Sequence, residues 1–188
     1  MSTESLSNIA RCAKLKIEYE KAITLKRKAV SDIFNRGMIK ALPLIFISLS
    51  VIGADQISKY LIRANMSLGE SIPEEGPFRL TYATNEGGAF GLFADQSFLL
   101  ALVAIIAVTV IVLYVRYLPP GSTLLKVGLG LDLGGATGNL IDRLRLGKVT
   151  DFIDVGAWPV FNLADSAITV GTILIVFYLL FTARKKAY

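Results

Sequence analysis

Long apolar runs separated by short polar connections fill most of this chain, and four runs are long enough to cross a bilayer. A span needs about 20 apolar residues. The runs are Leu42–Ile62, Phe98–Leu118, Leu124–Leu140 and Val160–Phe181. Between the first two, Pro77–Thr84 alternates apolar and polar positions and predicts a strand. An exposed strand leaves backbone groups unpaired and cannot lie in lipid, so it belongs at the outer surface. The glycine-rich stretch Asn85–Gly91 follows and predicts a tight turn, and Pro119-Pro120-Gly121 predicts another after the second run.

The third and fourth runs carry polar positions at helical spacing. Gly130, Gly134 and Gly138 recur every fourth residue, so a neighbouring backbone can approach closely along that stripe. Beside it lie Asp132, Gly135, Asn139 and Arg143. In the fourth run Asn162, Asp165, Ser166, Thr169 and Thr172 share a face. The first run carries Asp55 and Lys59 four apart, acid first, near one end. That pair reads either as an internal salt bridge or as a contact to a substrate or catalytic group.

Composition agrees: 53% of residues are hydrophobic and the mean hydropathy is +0.56. Both values indicate an integral membrane protein with little chain left for a soluble domain. With 188 residues, the expected organisation is a basic extension over 1–38 and one membrane domain over 39–188. The extension lacks the apolar core and small-residue cleavage site of a signal peptide. It reads either as a helix on an anionic membrane surface or as a solvated basic tail.

The net charge is +5. Basic residues gather in 11–40, in Arg116 and Lys126, and in Arg184, Lys185 and Lys186. With four spans these segments share one side, which by the positive-inside rule is cytoplasmic, as are both termini. Arg143, Arg145 and Lys148 run against this pattern. The distribution gives no indication of nucleic-acid binding.

The chain has no histidine, which excludes Ser–His–Asp, Cys–His and HExxH chemistry. Its one cysteine, Cys12, has no disulfide partner within the chain. Carboxylates, lysines and tyrosines remain as acid–base groups. Asp165 is the only Asp, Glu, Lys or Arg in the fourth run. A charge at a span's centre costs about 2.5–3.5 kcal/mol on insertion scales, so such a group marks function. Asp151 lies just before that run, in what reads as a loop, and Gly156 allows the link to fold back. Two carboxylates sharing a site resist joint ionisation and can run acid–base chemistry on water.

Five motifs in order resemble those of the bacterial lipoprotein signal peptidases, or signal peptidase II, over about residues 40–182. They are Asp55–Lys59, Asn85–Gly91, Gly134–Arg143, Val149–Phe152 and Phe161–Ser166. The resemblance implies an intramembrane aspartyl endopeptidase that removes the signal peptide of prolipoproteins before a diacylglyceryl-modified cysteine. It implies an all-α membrane fold of four transmembrane helices with a small extracytoplasmic β-sheet and an interfacial helix within 63–97. Both termini would be cytoplasmic, and the protein would sit in the bacterial cytoplasmic (inner) membrane with its site at the outer face. Carried over by motif, Asp151 and Asp165 are the catalytic pair. Asn85, Gly135, Asn139, Arg143 and Asn162 line or shape the site, and Asp55 and Lys59 support it. No metal or organic cofactor is implied. The expected partners are the lipid-modified prolipoprotein and membrane lipids, with the enzyme as a monomer. Gly88 departs from the family's usual alanine or serine, the link between the two acids is short, and the N-terminal segment is long.

Two other classes fit the apolar spans. In a small transporter or channel, Asp151, Asp165 and Arg143 would form an ion relay. In a non-catalytic adaptor, the glycine stripe would be a partner interface. A Ser58–Lys59 dyad is disfavoured because adjacent helical residues face about 100° apart. Gly128–Asp132 has one residue too many for the GxGD motif of other intramembrane aspartyl proteases.

Overall fold

The computed structural model describes residues 3–87, 97–119 and 121–186; for 3–17, 22, 29–40 and 183–186 it describes the backbone alone. Residues 88–91 of the glycine-rich motif, with Gly88, and Pro120 therefore lie outside the described residues. Helix α1 is Thr3–Asn65. The sheet strands are β1 Ser71–Ile72, β2 Arg79–Asn85 and β3 Val149–Asp154. The remaining helices are α2 Ser97–Tyr114, α3 Thr123–Leu146 and α4 Leu163–Lys186. A 3-10 turn, Val115–Tyr117, prolongs α2.

The chain divides into two compact units, Met1–Lys40 and Ala41–Tyr188. In the first, the described side chains from Glu18 to Lys28 are exposed, apart from a half-buried Ile23. All further features belong to the second.

Three helices among the described residues are long and apolar enough to cross a membrane: Ala41–Asn65, Ser97–Tyr117 and Leu163–Thr182. The shortest, 20 residues, spans about 30 Å at 1.5 Å per residue. Their outward faces are apolar: Leu102, Ile106 and Val110 on α2 and Ile173, Val176 and Leu180 on α4 are exposed. Such surfaces suit lipid rather than water. Helix α3 is long enough, but Lys126, Asp132, Asp142, Arg143 and its glycines dilute its apolar character.

Helix α3 packs between α1 and α4 because glycine leaves it almost bare. A Cβ at Gly130 would lie 3.0 Å from the Leu44 carbonyl oxygen, and one at Gly134 2.9 Å from that of Ser48. The stripe read from sequence therefore faces α1. The other side meets α4, where a Cβ at Gly128 would lie 2.9 Å from the Gly171 carbonyl oxygen. Removing side chains lets backbones approach where no hydrophobic force drives helices together. Leu44, Leu118, Leu125 and Leu129 form the buried core nearby.

The three strands form one antiparallel sheet in the order β1-β2-β3. Strand β2 pairs with β3 through Arg79–Asp154, Leu80–Ile153, Ala83–Asp151, Thr84–Thr150 and Asn85–Val149, with an irregularity between Leu80 and Ala83. The stretch around Asp151 is thus a strand, not the loop expected from sequence. Every residue of β3 except Ile153 is buried, so both faces are covered and no alternation shows in Val149–Asp154. No helix occurs among the described residues between Asn65 and Ser97; residues 88–96 of the segment expected to hold an interfacial helix lie outside them.

Candidate active site

Asp165 enters the site through the first turn of α4. Asn162 precedes that helix as its N-cap, and the two residues serve each other. The Asp165 amide donates to Asn162 Oδ1 at 2.9 Å, and the Asn162 amide donates to Asp165 Oδ2 at 3.3 Å. This reciprocal capping satisfies two donors at the helix start that burial would otherwise leave without partners.

Asp151 arrives from β3. After Asp154 the chain turns at Gly156, whose φ of +79° suits glycine and whose amide donates to Asp154 Oδ1 at 2.9 Å. It then returns so that Phe161 pairs with Ile153. The fold-back delivers Asn162 to Asp151: its Nδ2 donates to Asp151 Oδ1 at 2.6 Å. One residue, Asn162, therefore touches both carboxylates. The Asn85 side chain also hydrogen-bonds Asp151. Burial, and then the negative charge of Asp165, push the Asp151 carboxyl up to about 7; the bonds from Asn162 and Asn85 oppose this.

A second asparagine extends the chain of amides inward. Asn139 Nδ2 donates to Asp165 Oδ1 at 2.7 Å, and Asn139 Oδ1 accepts from Asn162 Nδ2 at 3.1 Å. Lys59 Nζ donates to that same oxygen at 2.9 Å. An ammonium has no acceptor, so it fixes which end of the Asn139 amide faces Asp165. Lys59 is in turn held by Asp55 at 2.9 Å and Asp142 at 3.3 Å. Asp55 Oδ1 accepts from the Ala164 amide at 3.0 Å, and Gln56 Nε2 donates to both Asp55 and Asp142. Asp142 Oδ2 accepts from the Thr150 amide at 3.0 Å, which ties β3 to α3 next to Asp151. Lys59 and Asp55 are 0% exposed and Asp142 1%, so the one ammonium is shared by two carboxylates out of reach of solvent, with the half-buried Arg63 at 3.9 Å from Asp142 as the second cation.

Two glycines give this network room. A Cβ at Gly138 would lie 2.6 Å from Asp55 Oδ2, and one at Gly135 would run into the Ala164 carbonyl and lie 2.8 Å from Ile168 Cγ1. Arg143 stands beside the acids at the same end of α3, and its Nε is buried without a hydrogen-bond partner. Asp165 borders two cavities. One, about 330 Å³, is lined by α2 residues such as Val103 and Ala107 and by Asp132, Asn139 and Arg143. The other, about 470 Å³, lies against Val155, Trp158, Phe161 and Thr169.

The structure thus brings Asp151, Asp165, Asn85, Asn139 and Asn162 into contact, and connects Lys59 and Asp55 to them through Asn139. Arg143 lines the shared cavity and Gly135 sets the closeness of α3 to α4. Sequence reasoning missed Asp142, Gln56, Thr150 and Arg63. Arg63 donates to Thr150 Oγ1 at 2.9 Å. Asp142 sits in the Gly134–Arg143 motif, but its partners come from elements far along the chain. The Asn162-x-x-Asp165 capping pattern was visible as a local signal. Among the described residues no group of three or more His, Cys, Asp or Glu is placed to hold a metal ion.

A family model described as signal peptidase (SPase) II matches residues 47–181. The chain is similar to a lipoprotein signal peptidase of Moorella thermoacetica, 48% identical over 146 residues, covering 77% of this chain and 97% of that protein. It is also similar to a lipoprotein signal peptidase of Geobacillus thermodenitrificans, 43% identical over 155 residues, covering 80% and 97% respectively. A solved bacterial membrane enzyme superposes with a TM-score of 0.71 at 33% identity, over 77% of this chain and 91% of that one.

Proposed function

The chain belongs to the signal peptidase II family, and from that premise we propose that it is a membrane-embedded endopeptidase that removes signal peptides from diacylglyceryl-modified prolipoproteins, using Asp151 and Asp165 to activate water. The observation that carries this reading is the contact of Asn162 with both carboxylates. Four helices cross the bacterial inner membrane in this proposal, α3 among them, with both termini cytoplasmic and residues 1–38 a basic cytoplasmic extension. The sheet and the two acids then lie at the outer face. The protein works as a monomer, with lipids and the lipidated precursor as its partners.

Asp151, buried and pushed up to about 7, carries the proton that the pair shares. Asp165, open to both cavities, faces the water. Water attacks the scissile carbonyl carbon and gives a proton to Asp165. The Asp151 O–H donates to the carbonyl oxygen and steadies the tetrahedral intermediate. The C–N bond then breaks, the leaving amine takes the proton from Asp165, and the signal peptide departs as a carboxylic acid. Asn139 and Asn162 hold the acids in register throughout. The two cavities give the chain on each side of the scissile bond a place to lie.

The test is incubation of the purified protein with a diacylglyceryl-modified precursor and with its unmodified twin. Cleavage of the modified one alone is expected. Cleavage of neither rejects the reading, and a proton-dependent ion flux in its place favours a relay.

A further inference from the structure

The mechanism leaves the carboxyl of Asp132, inside α3, unused. Asp132 lies on the same face of α3 as Asn139, seven residues away, so about 10 Å deeper along the helix. Its Oδ1 is buried with no hydrogen-bond partner, and its Oδ2 has only a long contact of 3.5 Å from the Thr172 hydroxyl. The α4 backbone makes space for it: a Cβ at Gly171 would collide with the Asp132 carboxyl.

Asp132 Oδ1 and Arg143 Nε are the buried side-chain atoms without a partner among the described residues, and both residues line the cavity of about 330 Å³ that reaches Asp165. One is an acceptor and the other a donor. They are 11 positions apart on one helical face, about 16 Å end to end. The facing wall is apolar, from Leu100, Val103, Ala104, Ala107 and Ile111 of α2. A ligand that satisfies both ends must bring a hydrogen-bond acceptor near the dyad and a donor deep in the hydrocarbon layer. Lipid tails carry no donor. A polypeptide that is not helical carries both, and within a bilayer its N–H groups must find partners in protein.

Resting on the function proposed above, we propose that Asp132 is a binding contact for the membrane-embedded stretch of the substrate peptide, accepting a hydrogen bond from an N–H or O–H of a segment that lies unwound in this cavity. Asp132 touches substrate upstream of the scissile bond and takes no part in the bond-breaking step. Its retention in an apolar layer follows from that contact.

The experiment measures kcat and KM for the diacylglyceryl-modified precursor, with melting temperatures, for the unaltered protein, Asp132→Ala and Asp132→Asn. Losing the acceptor in Asp132→Ala raises KM about fivefold, the worth of one ordinary hydrogen bond, with kcat within about twofold. Its melting temperature holds or rises, because an unpartnered buried carboxyl is gone. Asp132→Asn keeps an acceptor oxygen and stays within about twofold in KM. An unchanged KM in Asp132→Ala overturns the proposal. So does equal impairment of both variants with lowered melting temperatures, which marks a packing role. Failure of the unaltered protein to cleave overturns the function itself, and this inference with it.

Discussion

Two pairs of aspartates lie side by side, one linked to the other through Asn139, and they are treated in opposite ways. Asp55 and Asp142 clasp the ammonium of Lys59, at 2.9 and 3.3 Å, with Gln56 filling remaining acceptor sites. Asp151 and Asp165 form no ion pair among the described residues, and the groups that touch them directly are neutral amides. A cation between two acids ends their acid–base usefulness and leaves a structural clamp. Amides hold two acids in place without neutralising them, and on the proposed function the pair shares a proton instead. The same residue type thus builds a clamp in one place and the proposed reactive pair in the other, and Asn139 connects the two.

The largest effect separates the pairs by function. Asp151→Asn and Asp165→Asn each lower cleavage of the modified precursor by about 10³-fold or more, with unfolding midpoints at or above that of the unaltered protein. Asp142→Asn, at the other pair, costs stability first. Full turnover by either dyad variant in a peptide-cleavage assay would erase the distinction.

Breaking the clamp gives the next largest effect. Lys59→Met leaves two buried acids facing each other and destabilises by about 3–5 kcal/mol in a detergent-denaturation titration. Adding Asp55→Asn and Asp142→Asn to that variant restores most of the loss, because no uncompensated charge remains. If the triple variant is no better than the single one, the clamp is not electrostatic.

The dyad should also respond to pH. Asp151 binds its proton more tightly folded, at about 7, than unfolded, near 3.8. Its contribution to stability is therefore full below about pH 4 and is lost as pH rises through 7. Asp151→Asn escapes that loss, so its stability advantage over the unaltered protein grows between pH 4 and pH 8 by on the order of 3–4 kcal/mol. Denaturation midpoints measured across that range check it, and a constant difference would contradict it.

The smallest effect is at the residue that touches both acids of the dyad. Asn162→Ala removes the α4 cap and the contact with Asp151, costing about 1–2 kcal/mol of stability. Cleavage falls further than that cost suggests, by about 10²-fold, because both acids lose their register.

How much of this was legible in the sequence follows from where each signal resides. The apolar runs announced α1, α2 and α4, and alternation announced β2, because one-dimensional patterns encode burial on one face. Strand β3 was not legible: Thr150, Asp151, Phe152 and Asp154 are buried on both faces, so no period survives. Asp151 and Asp165 stood out as acids near an apolar run, and the ordered motifs supplied their neighbours. Asp142 was passed over because its meaning is its company, and Lys59, Gln56, Arg63 and Thr150 converge on it only once α1, α3 and β3 are packed. The glycine stripe was legible as a close approach, but not which helix it approaches.

The central claim is that Asp151 and Asp165 hold one proton between them, and carboxyl-carbon NMR of aspartate-labelled protein titrated from pH 4 to pH 9 tests it most directly. The account predicts one aspartate signal that titrates near pH 7, disappears in Asp151→Asn and shifts in Asp165→Asn. A spectrum in which every aspartate has finished ionising by pH 5, in a protein that still cleaves at pH 6, would contradict it.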